Sequence, residues 1–146
     1  MNPATAPRRI LIIDDDDALT GALVSLLQDE GYHVRCAADG EEGIRLASQE
    51  PPDLILLDFI MPLKNGFDVC EDIQNIARLR DVPVLVMTAF GQDLGEIHGV
   101  SVQKPRANIR GCLEKPFEIN VLLERVASAL QEESPAASSP LRDAQR

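Results

Sequence analysis

Short apolar runs alternate with amphipathic stretches along this chain. Ile10 to Ile13 is unbroken by polar residues, which predicts a strand buried on both faces. Leu19, Ala22, Leu23, Leu26 and Leu27 then recur at helical spacing, and Gly31 stops that helix. Tyr32 to Ala37 alternates and predicts a second strand. Asp39 to Gln49 predicts a short helix with Ile44 and Leu46 near its inner face. Leu54 to Leu57 repeats the first pattern and runs into Asp58. Pro62 and Asn65-Gly66 mark a loop before a helix carrying Val69, Ile73 and Ile76. Val82 to Met87 predicts a fourth strand and residues 110–114 a fifth. Ile119, Leu122, Leu123, Val126 and Leu130 define a last helix.

A repeating strand–helix order is most simply satisfied by a parallel sheet with helices on both faces. Two regions fit this pattern badly. Gln92 to Asn108 holds Gly95, Gly99 and Pro105 among scattered apolar residues, so a helix there is expected to be short or atypical. Glu132 to Arg146 is rich in Ser, Pro and Ala and reads as a disordered tail or a linker. The expected organisation is a flexible segment over 1–7, a domain over 8–131 and the tail over 132–146.

Composition narrows the function classes. The chain has 146 residues, 45% of them apolar, enough for one domain with a real core. Its net charge of −10 argues against general nucleic-acid or anionic-membrane binding, which needs basic patches. No apolar run is long enough to span a bilayer, and MNPATAPRR lacks the apolar core of a signal peptide. A cytoplasmic location is the expectation. Cys36, Cys70 and Cys112 form no CxxC motif and read as reduced packing groups. His33 and His98 have no partner at ligand spacing, so a His-based metal site is rejected.

The candidate chemistry lies at strand ends. Ligands of open parallel sheets bind beyond the carboxyl ends of the strands. Asp14 and Asp15 follow the first strand, Asp58 the third, Thr88 the fourth and Lys115 the fifth. Neighbouring strands would bring these groups into one cleft. Two carboxylates about 5 Å apart repel by roughly 3 kcal/mol at an effective dielectric near 20. Such a cluster calls for a cation, and an all-oxygen site suits magnesium better than zinc. The run Asp14 to Asp17 therefore divides into two pairs. Asp14 and Asp15 face the cleft, while Asp16 and Asp17 cap the next helix and meet the positive end of its dipole.

The motifs ILIIDDD, DLILLDFIMPLKNGFDV, VPVLVMTAF and LEKPFE occur in that order over residues 8–131. Together they resemble the receiver (phosphoacceptor) domains of two-component response regulators. The resemblance implies a flavodoxin-like, doubly wound five-stranded sheet of order 2-1-3-4-5. It implies that Asp58 accepts a phosphoryl group from a sensor histidine kinase or a His-phosphotransfer protein. Magnesium would be held by Asp15, Asp58 and the backbone carbonyl of Ile60, with Asp14 acting mainly through water. Thr88 and the backbone at Ala89 would bind the phosphoryl group, and Lys115 would pair with it. Pro116 resembles the family's proline, usually preceded by a cis bond. Met61-Pro62 and Gly66 match the loop after the phosphoacceptor.

The chain departs from the family in three places. Cys112 stands where the family usually has a switching Tyr or Phe. The aromatic half of the switch is then absent or supplied by another residue, with Phe90 a candidate. The interval from Thr88 to Lys115 is a few residues longer than usual, which implies an altered partner surface. Ile60 and Phe90 are apolar where many receivers hold side chains that orient water, which implies slow self-dephosphorylation.

The leading expectation is a phosphorylation-controlled switch, not an enzyme with a separate product. Its output partner is open, with self-association one option. The alternative is a receiver-like interaction module that works independently of phosphorylation. An aspartyl-phosphate phosphatase is disfavoured because Ile60 occupies the place of its second aspartate. A flavin module is disfavoured because four aspartates would repel a phosphate at the first strand end.

Overall fold

A computed structural model describes residues 6–59, 61, 65–88 and 108–131. Five strands form one sheet: β1 (Arg9–Ile13), β2 (His33–Ala37), β3 (Leu54–Asp58), β4 (Pro83–Thr88) and β5 (Asn108–Glu114). Their order is β2-β1-β3-β4-β5, and every neighbouring pair is parallel. Four helices are described: α1 (Asp17–Asp29), α2 (Gly40–Gln49), α3 (Gly66–Asn75) and α4 (Ile119–Gln131). The chain is thus a flavodoxin-like doubly wound fold. The expected short helix within 92–108 lies outside the described residues apart from Asn108, as do the whole tail over 132–146 and the first five residues.

The apolar strands are buried on both faces because helices cover both. Leu11, Ile13, Ile55, Leu57, Val84 and Val86 join a core with Val69, Cys70 and Ile73 of α3 and Ala47 of α2. Ile10, Ile12, Leu54, Leu56, Leu85 and Met87 face the other way, against Leu23 and Leu27 of α1 and Leu122 and Val126 of α4. Each such side chain removed from water contributes roughly 1.5–3 kcal/mol. Among the described residues no helix is long and apolar enough to cross a membrane.

Local signals set the helix ends. Asp16 caps α1 by accepting from the Leu19 N–H at 3.1 Å. After α1, Gly31 adopts φ +97, and the N–H groups of Gly31 and Tyr32 return to the carbonyls of Gln28 and Leu27. A side chain would be strained at that φ, so glycine ends the helix there. Asp39 lies outside α2 as its cap, accepting from Glu42 N–H at 2.8 Å.

One expectation is sharpened and two need correction. The inner face of α2 is centred on Gly43 and Ala47, with Ile44 and Leu46 only partly buried beside them. A Cβ at Gly43 would lie 2.7 Å from Ile13 Cγ1, so a larger residue would crowd that side chain. The fifth strand begins at Asn108 and contains a bulge: Val84 pairs Ile109 and Leu85 pairs Gly111. Arg110 is the extra residue, and it lets Ile109 and Cys112, three apart, pack on one core. Finally, Cys70 is buried and Cys112 half-buried, but Cys36 is exposed on the edge strand β2. Burial pushes the Cys70 thiol up to about 12, which suits an inert packing group.

Candidate functional site

The sheet order makes β1, β3, β4 and β5 consecutive, so their carboxyl ends adjoin. Asp14 directly follows β1, and its N–H donates to Ala37 O at 3.1 Å. Asp58 is the last residue of β3 and is paired with Met87 of β4. Thr88 ends β4, and its carbonyl accepts the Lys115 N–H at 2.6 Å. These backbone ties fix the four side chains relative to one another.

Asp14, Asp58 and Thr88 are buried, and Asp15 is exposed. The ligand oxygens of Asp14, Asp15 and Asp58 all lie within 4.8 Å of one another. Lys115 Nζ lies 2.9 Å from Asp14 Oδ2 and 3.5 Å from Asp58 Oδ2. Burial pushes the Lys115 ammonium down. The Asp14 hydrogen bond and the charges of Asp14 and Asp58 outweigh that, so its pKa lies above the ordinary lysine value. The ammonium thus stays charged, and it bridges two of three clustered carboxylates.

The donor set fits a hard divalent cation. It offers three carboxylates and neither Cys nor His. Both oxygens of Asp14 are engaged: Oδ1 accepts the Asp16 N–H at 2.9 Å while Oδ2 takes Lys115. Asp15 stands at the solvent side, where it can reach an entering ion. The structure therefore brings Asp14, Asp15, Asp58 and Lys115 together, with Thr88 at the adjoining end of β4.

The Lys115–Pro116 peptide bond is cis. Cys112 lies within β5, half-buried against the α2–α3 side of the sheet, and its carbonyl accepts from Arg125 of α4 at 3.0 Å. Ile60, Ala89 and Phe90 lie outside the described residues. One contact is signalled in the sequence only by the resemblance, which puts Gly66 in the loop after the phosphoacceptor. The pair Asn65-Gly66 marks a loop, yet Gly66 is buried directly against Phe59, the residue after Asp58. By spacing alone, a glycine eight residues after an aspartate does not announce a close approach.

Residues 10–127 match the response regulator receiver domain. Among curated proteins, the DNA-binding dual master transcriptional regulator RpaA of Synechocystis is 41% identical over 123 residues, covering 84% of this chain and 49% of RpaA. Response regulator MprA of Mycolicibacterium vanbaalenii is 34% identical over 129 residues, covering 88% of this chain and 53% of MprA. The chain spans about half the length of these curated relatives. Among solved structures, chemotaxis protein CheY4 of Vibrio cholerae is similar with a TM-score of 0.75 at 28% identity, over 85% of this chain and 99% of that one. The receiver domain of sensor histidine kinase PA1611 from Pseudomonas aeruginosa has a TM-score of 0.72 at 25% identity, over 86% of this chain and 99% of that one. In that structure a magnesium ion is coordinated in the active-site cleft.

Proposed function

The chain belongs to the response regulator receiver family, and from that membership we propose that Asp58 is a phosphoacceptor whose modification switches an interaction surface. The donor is a phosphohistidine on a sensor histidine kinase or a His-phosphotransfer protein. The observation that carries the reading is the cluster of Asp14, Asp15 and Asp58, with the Lys115 ammonium bridging Asp14 and Asp58.

A carboxylate oxygen of Asp58 attacks the phosphorus. The P–N bond breaks, its electron pair stays on the imidazole nitrogen, and that nitrogen takes a proton as the histidine leaves. A C–O–P acyl phosphate remains on Asp58. Both partners are anionic, so positioning and charge neutralisation dominate the barrier. Lys115 sits 3.5 Å from Asp58 and can follow a phosphoryl oxygen as a flexible point charge. Thr88 at the next strand end offers a hydroxyl for another oxygen. Asp15, Asp58 and the Ile60 carbonyl would hold magnesium, with Asp14 acting on it mainly through water. Bound there, magnesium supplies positive charge against the phosphoryl oxygens.

The test is transfer from acetyl phosphate in magnesium, followed by mass. The parent gains one hydroxylamine-labile phosphoryl group, and Asp58→Asn gains none. Absence of uptake by the parent, from this donor and from kinase, would favour a module that works without phosphorylation.

Ile60 and Phe90 are apolar at positions where, by the resemblance, many receivers hold water-orienting side chains, so self-dephosphorylation is expected to be slow. Decay of the phosphorylated parent is compared with an Ile60→Asn, Phe90→Glu double variant. The variant is expected to decay faster; equal or slower decay in the variant sinks the idea.

A further inference from the structure

We propose that Phe59 is a positioning residue for Asp58, and that the missing side chain at Gly66 lets it act as one. This rests on reading Asp58 as the phosphoacceptor.

Phe59 follows Asp58 directly and is 2% exposed. Its main chain is tied on both sides. The N–H donates to Met87 O of β4 at 2.9 Å, and the carbonyl accepts the Gly66 N–H of α3 at 3.0 Å. Its ring meets the Phe67 ring edge-on, with centroids 5.1 Å apart and planes at 72°. Gly66 lies so close that a Cβ there would collide with Cδ1 and Cγ of the Phe59 ring and lie 2.7 Å from Phe59 Cα. The last of these contacts is to main chain, so no side-chain rotation relieves it.

These bonds extend the sheet beyond its last paired residues. They run from α3 through Phe59 to β4, and the Lys115 N–H to Thr88 O continues them to β5. Asp58, Thr88 and Lys115 stand on the three strand ends so joined. A shift of the Phe59 main chain therefore moves the Asp58 carboxylate relative to both partners. A displacement of about 1 Å at a reacting group can lower a rate roughly 100-fold. Packing alone would not require Gly66 to be this close, because a larger residue further from the strand would fill the same layer.

Gly66→Ala is the direct test, with Gly43→Ala as its control. Both glycines are crowded, but Gly43 faces the Ile13 side chain instead of the main chain beside Asp58. Both variants should melt earlier. Rates of phosphorylation by acetyl phosphate in saturating magnesium are then measured where circular dichroism shows each variant folded. Gly66→Ala is expected to lose roughly 10- to 100-fold in maximal rate, with little change in the half-saturating donor concentration. Gly43→Ala should keep the parental rate. A folded Gly66→Ala with the parental rate overturns the proposal and leaves Asp58's role intact. A parent that takes up no phosphoryl group overturns both. If Gly66→Ala does not fold, Phe59→Leu decides: it keeps the burial but drops the ring. A several-fold slower rate in that folded variant supports the proposal, and a parental rate overturns it.

Discussion

At the amino ends of β1, β2 and β3, charges are matched. Arg9 bonds Glu50 at 3.0 Å, Arg35 lies 3.9 Å from the other Glu50 oxygen, and Asp53 accepts the Arg9 N–H at 2.7 Å. Asp53 N–H returns to Arg9 O at 2.7 Å, and Arg35 also bonds the carbonyls of Leu46 and Glu50. At the carboxyl ends, Asp14, Asp15 and Asp58 cluster, and Lys115 bridges Asp14 and Asp58. The same sheet carries both arrangements. The matched end fastens the edge strand β2 and the end of α2 to β1. Among the described residues, the carboxyl end gathers three carboxylates beside the Lys115 ammonium, an arrangement that suits a site for a cation.

The largest expected effect sets those ends against each other. Without magnesium, Asp15→Asn removes a like charge from the cluster and should raise the melting temperature. In magnesium the parent should gain stability as ligand binds the folded state, and Asp15→Asn should lose more than about tenfold in affinity, near 1.4 kcal/mol. Glu50→Gln also removes one negative charge, yet it should lower the melting temperature with and without magnesium. Its partner is half exposed, and so is Glu50, so the cost is only about 0.2–1 kcal/mol. Thermal melts of the three proteins, with magnesium titrations, check both signs. A metal-free Asp15→Asn that melts below the parent would erase the contrast.

The two ends also differ in how legible they are. The carboxyl end can be read from the chain because apolar strands run straight into the reactive residues: Ile13 into Asp14, Leu57 into Asp58, Met87 into Thr88. The motif order assigns strand neighbours, and parallel topology then places the side chains together. The amino end has no such marker. Arg9, Arg35, Glu50 and Asp53 are ordinary surface residues in the sequence, and only the sheet register brings them within reach. The bulge at Arg110 is equally silent, because one extra residue changes no local composition. So is the inner face of α2, where small Gly43 and Ala47 take the buried positions and larger Ile44 and Leu46 flank them. Hydrophobic periodicity finds large residues and overlooks glycine at a close approach.

The smallest effect tests the division within the aspartate run itself. Asp16 caps α1 and its N–H holds Asp14, whereas Asp17 is the first helical residue and meets the positive end of the dipole. Neither Asp16 nor Asp17 belongs to the cluster of close ligand oxygens formed by Asp14, Asp15 and Asp58. Asp17→Asn should therefore cost about 0.3–1 kcal/mol of stability, and less in high salt. Its magnesium affinity should stay close to the parent's, because the lost charge is exposed and outside the cluster. Equal magnesium losses in Asp17→Asn and Asp15→Asn would mean that the run acts as one diffuse field. A stability loss in Asp17→Asn with parental magnesium binding would mean that adjacent, identical residues divide between helix and metal. The turn between them makes that division possible, since Asp14 ends in the cleft and Asp17 starts on a helix.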